Sequence, residues 1–297
     1  MTRIACNGLG TMGSGMAARL LGAGFEVTVY NRTAPRAEPL RQAGARVAAT
    51  PAEAARDADA VIAMVADDRA SREVWTGPQG ALAGVRKGAV LIDSSTVTPA
   101  WVRELAALAE ARGCPLLDAP VTGSRPQAHS GELLFLVGGD ASVLEKCRPI
   151  FQPMSRGVVH LGANGAGATM KLINNFFCGV QAAGLAEALA WIERSGLEKA
   201  AALALLTGGA PGSPLVKALA ERMSSQAYQI NFRLHLMAKD LTYAIQEAAR
   251  AGVDLSTATA ALGRFEDAAR SGFGDQDLSA VVEPLRKANR ATDFGHG

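Results

Sequence analysis

Residues 3–32 read "RIACNGLGTMGSGMAARLLGAGFEVTVYNR", and this stretch decides the fold class. Residues 3–7 have the composition of a short buried strand, and apolar residues recur at helical spacing from residue 12 to residue 23. A second strand is predicted from Glu26 to Tyr30. The order strand, turn, helix, strand predicts the opening of a parallel α/β sheet.

The turn between the first strand and the helix carries three glycines in the pattern G-x-G-x-x-G. Gly8 allows the tight turn, Gly10 lets the backbone approach a pyrophosphate, and Gly13 lets helix and strand pack closely. The helix N-terminus adds N–H groups and a positive dipole. We therefore predict dinucleotide binding, with a purely structural turn as the alternative. The predicted cofactor-binding residues of this loop are Gly8, Leu9, Gly10, Thr11, Met12 and Gly13.

The end of the second strand carries the signal for the type of dinucleotide. NAD sites usually place Asp or Glu there, but this chain has Asn31, Arg32 and Thr33. A guanidinium suits the 2′-phosphate of NADP, so we predict NADP and assign all three residues to its site. The alternative is that Arg32 is a solvated loop arginine. Arg36, one turn further on, assists it or belongs to the surface.

Weaker strand signals at "RVAA", "AVIAMV", "AVLIDSS", "CPLLDAPV", "ELLFLVGG" and "GVVHL" alternate with helical segments as far as residue 163. Alanine-rich helical segments follow to the C-terminus. We predict an α/β protein in which an N-terminal Rossmann domain with a parallel, doubly wound sheet, residues 1–163, precedes an all-α domain, residues 164–297. A long interdomain helix is predicted to begin near Asn164.

Composition limits the classes of function. The chain has 297 residues, 48% of them hydrophobic, and 30 basic against 28 acidic residues give a formal charge of +2. That balance argues against a nucleic-acid or membrane surface and favours a small-molecule partner. No apolar run approaches the roughly 20 residues that span a bilayer, and we expect no signal peptide.

The cysteines and histidines indicate neither a disulfide framework nor a metal site. Four widely spaced cysteines without a C-x-x-C pair favour reduced thiols and a cytoplasmic location. No pair of histidines has metal-ligand spacing, so we predict no protein-bound metal. The cysteines are Cys6, Cys114, Cys147 and Cys178, and the histidines are His129, His160, His235 and His296.

Residues 162–175, "GANGAGATMKLINN", place a lysine and an asparagine in a segment that is otherwise small or apolar. The i to i+4 spacing puts Lys171 and Asn175 on one face of the predicted helix. A buried polar face needs a partner, and we predict that this partner is a ligand. The alternative is that Lys171 is a lysine whose stem lies on apolar surface while its ammonium reaches water.

Nearly the whole chain resembles the β-hydroxyacid dehydrogenases, which include 3-hydroxyisobutyrate dehydrogenase, tartronate semialdehyde reductase and the glyoxylate/succinic semialdehyde reductases. The resemblance rests on several motifs in order. They are "GLGTMG" at 8–13, "DSST" at 93–96, "DAPVTG" at 118–123, the G-x-x-G-x-G-x-x-x-K-x-x-x-N pattern at 162–175, "FRLHLMAKD" at 232–240 and "DLSAV" at 277–281.

The resemblance implies that Lys171 is the catalytic acid/base residue, that Asn175 helps hold the substrate, and that Thr122 and Gly123 bind the substrate carboxylate. Elementary chemistry agrees with this assignment. Hydride transfer to a carbonyl carbon leaves negative charge on oxygen, and a lysine ammonium, with an intrinsic pKa of about 10.4, stabilises that charge and can supply the proton.

The resemblance implies further site residues. Thr96 is expected to contact the substrate or the nicotinamide side of the cofactor, Lys239 and Val65 to lie at the cofactor, and Asp240 to support the substrate site. Phe232 is expected to line the substrate pocket, although an aromatic residue at a helix start is more often part of a core. Dimers or tetramers built through the helical domain are also implied.

One departure from the family pattern concerns the "DAPVTG" loop, where Thr122 stands in place of the usual serine and Ser124 and Arg125 follow. The loop looks more like the glyoxylate/succinic semialdehyde reductase branch, and Arg125 either adds charge near the substrate or is an exposed loop residue. We predict NADPH-dependent reduction of small carboxylate-bearing aldehydes. The alternatives are a 3-hydroxyisobutyrate or tartronate semialdehyde enzyme, an imine reductase of the same architecture, and a non-catalytic NADPH sensor or scaffold.

Overall fold

A computed structural model of the protein describes residues 2–287, which form two compact units. The first unit ends at Lys171 and the second begins at Leu172, so the division falls inside a 27-residue helix. The predicted domains, residues 1–163 and 164–297, divide the chain just before this helix instead. Residues 288–297 lie outside the part of the chain that is described.

Unit 1 alternates strands and helices. Its strands are β1 (Arg3–Asn7), β2 (Glu26–Tyr30), β3 (Arg46–Val47), β4 (Ala60–Ala63), β5 (Val90–Asp93), β6 (Leu116–Asp118), β7 (Val121–Thr122), β8 (Leu133–Gly138) and β9 (Ser155–Gly162). Its helices are α1 (Gly13–Gly22), α2 (Glu38–Gln42), α3 (Pro51–Ala55), α4 (Asp68–Thr76), α5 (Ala81–Gly84), α6 (Pro99–Glu110), α7 (Arg125–Ser130) and α8 (Ala141–Phe151), with 3₁₀ turns at Ala34–Ala37 and Gln152–Met154.

The sheet has the order β3-β2-β1-β4-β5-β6-β8-β7, with β9 paired to β8. The first six strands in this order are parallel, as the sequence predicted. The far edge differs, because β8 runs antiparallel to both β6 and β7. The connection from β7 to β8 covers only residues 123–132, and parallel neighbours need a crossover of a dozen or more residues.

Both faces of the sheet are buried. Ile4 and Cys6 of β1 belong to one apolar cluster with α1 and α8, whereas Ala5 belongs to a second cluster with α4 and α6. This alternation is the period of two expected of a strand covered on both sides. The carboxyl ends of the parallel strands therefore open at one edge of the sheet, where ligands bind in open α/β sheets.

Unit 2 is helical, as the sequence predicted. It contains the rest of α9 (Ala166–Ile192), then α10 (Lys199–Gly208), α11 (Pro214–Ser225), α12 (Leu234–Arg250), α13 (Ser256–Ala268) and α14 (Glu283–Lys287), with a π-helical turn at Ala269–Phe273 and a 3₁₀ helix at Leu278–Val282. Its core includes Phe265, Met237 and Leu241. A Cβ at Gly179 of α9 would lie 2.9 Å from Leu241, so the glycine allows α9 and α12 to pack closely.

Candidate active site

The three glycines of the loop after β1 differ in the space that surrounds them. Gly8 has φ +96°, and a Cβ there would lie 2.4 Å from the carbonyl oxygen of Met64. A Cβ at Gly13 would lie 2.0 Å from the carbonyl oxygen of Gly8. At Gly10, by contrast, a Cβ would meet no atom of the described residues within 4 Å. The chain itself therefore fills the space beside Gly8 and Gly13 and leaves open the space that a pyrophosphate needs.

Asn31 fixes the glycine loop to the loop after β2. Its Oδ1 accepts the N–H of Leu9 at 2.8 Å, and its Nδ2 donates to the carbonyl of Thr33 at 2.9 Å. The Leu9 side chain is in the core, while Thr11 is exposed and Met12 half-buried at the start of α1. No side chain caps α1 at Met12, although the N–H of Ser14 bonds to the carbonyl of Gly10 at 3.2 Å, and the positive end of the helix dipole points toward the glycine loop.

The loop after β2 presents a basic surface. Arg32, Thr33 and Arg36 are all exposed. Within residues 2–287, neither a hydrogen bond nor an ion pair holds the Arg32 guanidinium. No carboxylate ends β2, because Tyr30 and Asn31 stand there. These three exposed residues of the loop are thus basic or polar, and the predicted choice of NADP over NAD stays a prediction.

Val65 lies against the glycine loop, since its Cγ1 would be 2.9 Å from a Cβ at Gly8. Its N–H donates to Ser95 Oγ at 2.9 Å, and Ser95 is fully buried. This bond links the loop after β4 to the loop after β5, where Thr96 is half-buried. Unit 1 thus brings the predicted cofactor residues Val65 and Asn31 to the glycine loop and places Thr96 next to Ser95.

A buried acid that sequence reasoning did not assign supports the loop after β5. Asp93 is 1% exposed, and its Oδ1 accepts the N–H of Ser95 at 2.8 Å. Its Oδ2 accepts Ser71 Oγ at 2.6 Å and Trp75 Nε1 at 2.8 Å. The sequence signals were an acid at the end of a buried strand and its place at the head of the "DSST" motif.

The "DAPVTG" segment forms β7 and a turn. Thr122 ends β7, and Gly123 has φ +108°, a conformation that favours glycine. Gln127 Oε1 accepts the N–H and the Oγ of Ser124 at 2.9 and 3.1 Å, which closes the first turn of α7. Arg125 is exposed on that turn. Thr122 is half-buried and Gly123 is exposed, and their assignment to the substrate carboxylate stays a prediction.

The aspartate that opens this motif, Asp118, is 1% exposed and reaches the start of α9. Its Oδ1 accepts the N–H of Gly165 and its Oδ2 that of Ala168, each at 2.9 Å. Asn164 Nδ2 lies 3.5 Å from Oδ1. Burial raises the pKa of the Asp118 carboxyl, and hydrogen bonds from the backbone of Gly165, Ala168 and Asp118 itself and from the side chain of Asn164 act in the opposite direction. Lys171 is half-buried one helical turn beyond Ala168.

Asn175 lies one turn after Lys171 on α9, in the network of unit 2. It is 4% exposed, and its Nδ2 donates to Asp240 Oδ2 at 2.5 Å. Asn174 Nδ2 donates to the Oδ1 of Asn175 at 3.0 Å. Lys239 Nζ is 2.9 Å from Asp240 Oδ1. The sequence analysis did not assign a role to Asn174, although two consecutive asparagines stand at positions 174 and 175.

Unit 2 therefore brings Asn175, Lys239 and Asp240 together. The Asp240 carboxylate is 1% exposed and contacts both other side chains, while Lys239 Nζ also lies 4.9 Å from the centre of the Tyr243 ring. An Asn amide has two N–H hydrogens, so Asn175 retains one for another acceptor. Asp240 thus orients the other two side chains, and its predicted contact with substrate stays a prediction.

Phe232 belongs to a separate segment, just before α12. It is half-buried against the core of unit 2. Asp277, which is fully buried, accepts the N–H groups of Asn231 and Phe232 at 2.9 and 3.2 Å and pairs with Arg222 at 2.7 Å. The "DLSAV" motif therefore fixes the backbone around Phe232.

Other chemistries find less support in the described residues. Burial raises the pKa of Cys6 to about 12 and that of Cys147 to about 11, so both thiols are suited to packing and not to nucleophilic attack. No group of three His, Cys, Asp or Glu side chains within residues 2–287 is placed to hold a metal ion, and His296 lies outside that range. No helix in the same range has the length and apolarity needed to cross a membrane.

Comparison with known proteins agrees with this geometry. Residues 3–162 match the domain family described as the NAD binding domain of 6-phosphogluconate dehydrogenase. Residues 165–285 match the family described as the NAD-binding domain of NADP-dependent 3-hydroxyisobutyrate dehydrogenase. The two matches meet at the start of α9.

Individual relatives cover almost the whole chain. The NAD-dependent L-serine dehydrogenase of Pseudomonas aeruginosa is 35% identical over 289 residues, 95% of this chain and 97% of that protein. Glyoxylate/succinic semialdehyde reductase 2 of Arabidopsis thaliana, a chloroplastic protein, is 34% identical over 95% of this chain and 78% of its own length.

A solved structure of 3-hydroxyisobutyrate dehydrogenase from Mycobacterium tuberculosis with L-serine superposes with a TM-score of 0.87 and 34% identity. The superposition covers 96% of this chain and 99% of that one. Sequence, fold and domain order therefore agree, and the protein is an NAD(P)-dependent oxidoreductase that belongs to the β-hydroxyacid dehydrogenase family, to which 3-hydroxyisobutyrate dehydrogenase also belongs.

Proposed function

We propose that the protein reduces small carboxylate-bearing aldehydes, such as glyoxylate or succinic semialdehyde, to hydroxy acids with NADPH. The observation that carries this proposal is the start of α9. Asp118, at the head of the "DAPVTG" segment, holds the first turn of the helix that bears Lys171. A predicted carboxylate-binding turn and a predicted proton donor are thereby joined within unit 1.

The bound dinucleotide supplies a hydride to the carbonyl carbon of the aldehyde. Thr122 Oγ1 and the backbone of Gly123 bind the substrate carboxylate and so orient the aldehyde. As the C=O bond becomes C–O, Lys171 stabilises the developing charge and donates a proton from Nζ to oxygen. Lys171 is then neutral and recovers a proton from solvent. In the reverse direction it accepts the proton of the hydroxyl group.

Asn175 positions the reacting oxygen in this proposal. Asp240 and Asn174 each use one end of its amide, which leaves one N–H for the substrate. Lys239 is held by Asp240 and contributes positive charge for the cofactor. Phe232 contributes apolar surface to the substrate pocket.

The preference for NADPH rests on the loop after β2. Arg32 and Thr33 are exposed there without a competing carboxylate at the end of β2. Arg32 pairs with the 2′-phosphate in this proposal, and Thr33 adds a hydroxyl. Because a relative is named as NAD-dependent, both cofactors belong in the assay.

A panel of substrates tests the activity. We expect NADPH oxidation with glyoxylate, succinic semialdehyde, tartronate semialdehyde or methylmalonate semialdehyde, followed at 340 nm. L-Serine and 3-hydroxyisobutyrate with NADP⁺ or NAD⁺ test the oxidative direction, because relatives carry those names. Turnover only of L-serine or 3-hydroxyisobutyrate would move the substrate to those branches. Cofactor binding without any turnover would favour the sensor or scaffold.

We also propose a homodimer or homotetramer built through unit 2, and a cytoplasmic location. Helix α10 reads "KAAALALLTG", yet none of its residues is buried, and Leu205 is 77% exposed. A contiguous apolar helix of this kind favours a second copy as its cover. Sedimentation equilibrium should show an oligomer for the wild type and a smaller species for Leu205→Glu. An unchanged mass in the variant would contradict the use of α10.

A further inference from the structure

The N-terminus of α9 is capped differently from the other capped helices of the chain. Within residues 2–287, six α-helices donate a backbone N–H to the side chain of the residue just before them, namely Thr50, Asp67, Thr98, Asp140, Glu198 and Ser213. At the start of α9, the N–H groups of Gly165 and Ala168 instead donate to Asp118, which lies 47 and 50 residues earlier in the chain.

The asparagine that precedes α9 also binds the sheet. Asn164 stands close before α9, in a residue type that favours caps, but its Nδ2 donates to the carbonyl of Leu116 at 2.9 Å. Both contacts of this asparagine therefore reach β6. Asp118 therefore attaches the first turn of α9 to the sheet through Gly165 and Ala168, while the carbonyl of Ala163 in the preceding loop accepts the N–H of Ala166 at 3.0 Å.

The surrounding glycines make room for this attachment. A Cβ at Gly138 would lie 2.5 Å from Asp118 Oδ1, and a Cβ at Gly167 would lie 2.3 Å from the carbonyl oxygen of Leu136. Helix α9 thus rests directly on the backbone of β8, to which β7 and its Thr122 are also paired. These contacts fix where the helix begins relative to the "DAPVTG" turn.

We infer that Asp118 is a positioning residue for Lys171. Both its oxygens accept hydrogen bonds from backbone N–H groups, as an ionised carboxylate does. Its negative charge lies at the positive end of a 27-residue helix, where it is stabilising. Lys171 follows within one turn, so the cap sets its distance from Thr122 and Gly123. This inference rests on the proposed role of Lys171 as proton donor.

The test is a double-mutant cycle on aldehyde reduction with saturating NADPH. Asp118→Asn keeps the size of the side chain but leaves only one oxygen to accept the two N–H groups. We expect kcat to fall roughly 10- to 100-fold, since a misplacement of about 1 Å costs this much. The KM for NADPH should change by less than about twofold, because the glycine loop is untouched.

The same substitution in a Lys171→Ala background should lower kcat by less than about twofold, since no proton donor remains to be positioned. An equal loss in both backgrounds would overturn the inference and leave Asp118 with a purely structural role. If Asp118→Asn does not fold, Asn164→Ala replaces it in the same double-mutant cycle. Asn164→Ala should then lower kcat by a smaller factor in the wild-type background and leave kcat unchanged in the Lys171→Ala background.

Asp140→Asn is the matched control, because Asp140 caps α8 in the same unit through the N–H groups of Ser142 and Val143. Its kcat should equal that of the wild type. A wild-type protein without turnover on any substrate would overturn the proposed function, and this inference with it. Turnover with an additive cycle overturns the inference alone.

Discussion

Two aspartates, one in each unit, are both 1% exposed, yet they are stabilised in different ways. Asp118 of unit 1 is held by main-chain N–H groups of Gly165 and Ala168. Asp240 of unit 2 contacts the side chains of Asn175 and Lys239. The Asp118 carboxylate is therefore held by main-chain groups, whereas the Asp240 carboxylate is held by side chains, which can rotate.

This difference matters because α9 carries one predicted site residue near each aspartate. Lys171 follows the end that the main chain anchors, and Asn175 lies in the network that side chains anchor. A group held by main-chain hydrogen bonds can shift only if the backbone moves, whereas a network of side-chain hydrogen bonds can rearrange when a ligand binds. We therefore expect Lys171 to be set before substrate binds and Asn175 to be adjusted by it.

The largest expected effect is at Lys171. Lys171→Ala should lower kcat by roughly 10²- to 10⁴-fold, the range for a positioned acid, with little change in NADPH affinity. Steady-state kinetics and fluorescence titration of NADPH measure the two quantities. Lys146→Ala, which removes an exposed lysine of α8, is the control and should leave both unchanged. A near-normal kcat in Lys171→Ala would remove the proton-donor role and the comparison with it.

The next effect concerns an exposed charge of unit 1. Arg32→Ala should remove most of an NADPH preference of about 10- to 100-fold in Kd, since a hydrogen bond to a charged group contributes about 1.5 to 3 kcal/mol. NADH affinity should barely change, and the preference should weaken as salt rises. Titration of both cofactors decides this. Arg156→Ala, an exposed arginine of β9, should have no effect. Equal wild-type affinities for the two cofactors would show that the loop after β2 does not select between them.

A smaller effect is expected at Asn175, which is held by hydrogen bonds to other side chains. Asn175→Ala should lower kcat/KM by about tenfold, because it removes one hydrogen bond to substrate and leaves Asp240 Oδ2 without its donor. Asn174→Ala, which only frees the other end of the same amide, should cost less. Initial rates at low substrate concentration measure both. An unchanged kcat/KM in Asn175→Ala would place this residue outside the site.

The smallest effect tests whether side-chain charge also stabilises the rest of unit 2. The hydrogen bonds from Arg286 lower the pKa of Glu193 from its usual 4.5 to about 2, with Lys199 as a second partner. A lowered carboxyl pKa stabilises the fold above about pH 4.5, and this contribution disappears as the pH falls toward 2. Glu193→Gln should therefore lower the free energy of unfolding by roughly 1 to 2 kcal/mol at pH 7.

Urea unfolding of wild type and Glu193→Gln across that pH range measures the difference. It should be constant above about pH 5 and shrink toward pH 2. Glu187→Gln, which removes the exposed partner of Arg264 from α9, should cost less than about 0.5 kcal/mol. A pH-independent difference for Glu193→Gln would contradict the charge pairing.

The sequence predicted the features that are encoded locally. The glycine loop, the parallel strands from β1 to β6 and the helical second half follow from periodicity and turn chemistry, which act over a few residues. The one-turn spacing of Lys171 and Asn175 is likewise a local property of a helix.

What could not be predicted depends on contacts between distant residues. Asp118 and Gly165 are 47 residues apart, and Asn175 and Asp240 are 65 apart. Nothing in the local pattern shows that an aspartate after a strand will cap a later helix. The antiparallel course of β8 was missed for the same reason, because strand direction follows from how the chain closes and not from strand composition.

The three glycines of the first loop also differ in what a methyl group would disturb. At Gly8 and Gly13 it would collide with the protein's own backbone, whereas at Gly10 it would meet only space. Alanine at positions 8 or 13 should therefore damage folding, while Gly10→Ala should give a folded protein that excludes the dinucleotide. A methyl group in this one loop is therefore expected to disturb either the folding of the protein or the binding of the cofactor, depending on which glycine carries it.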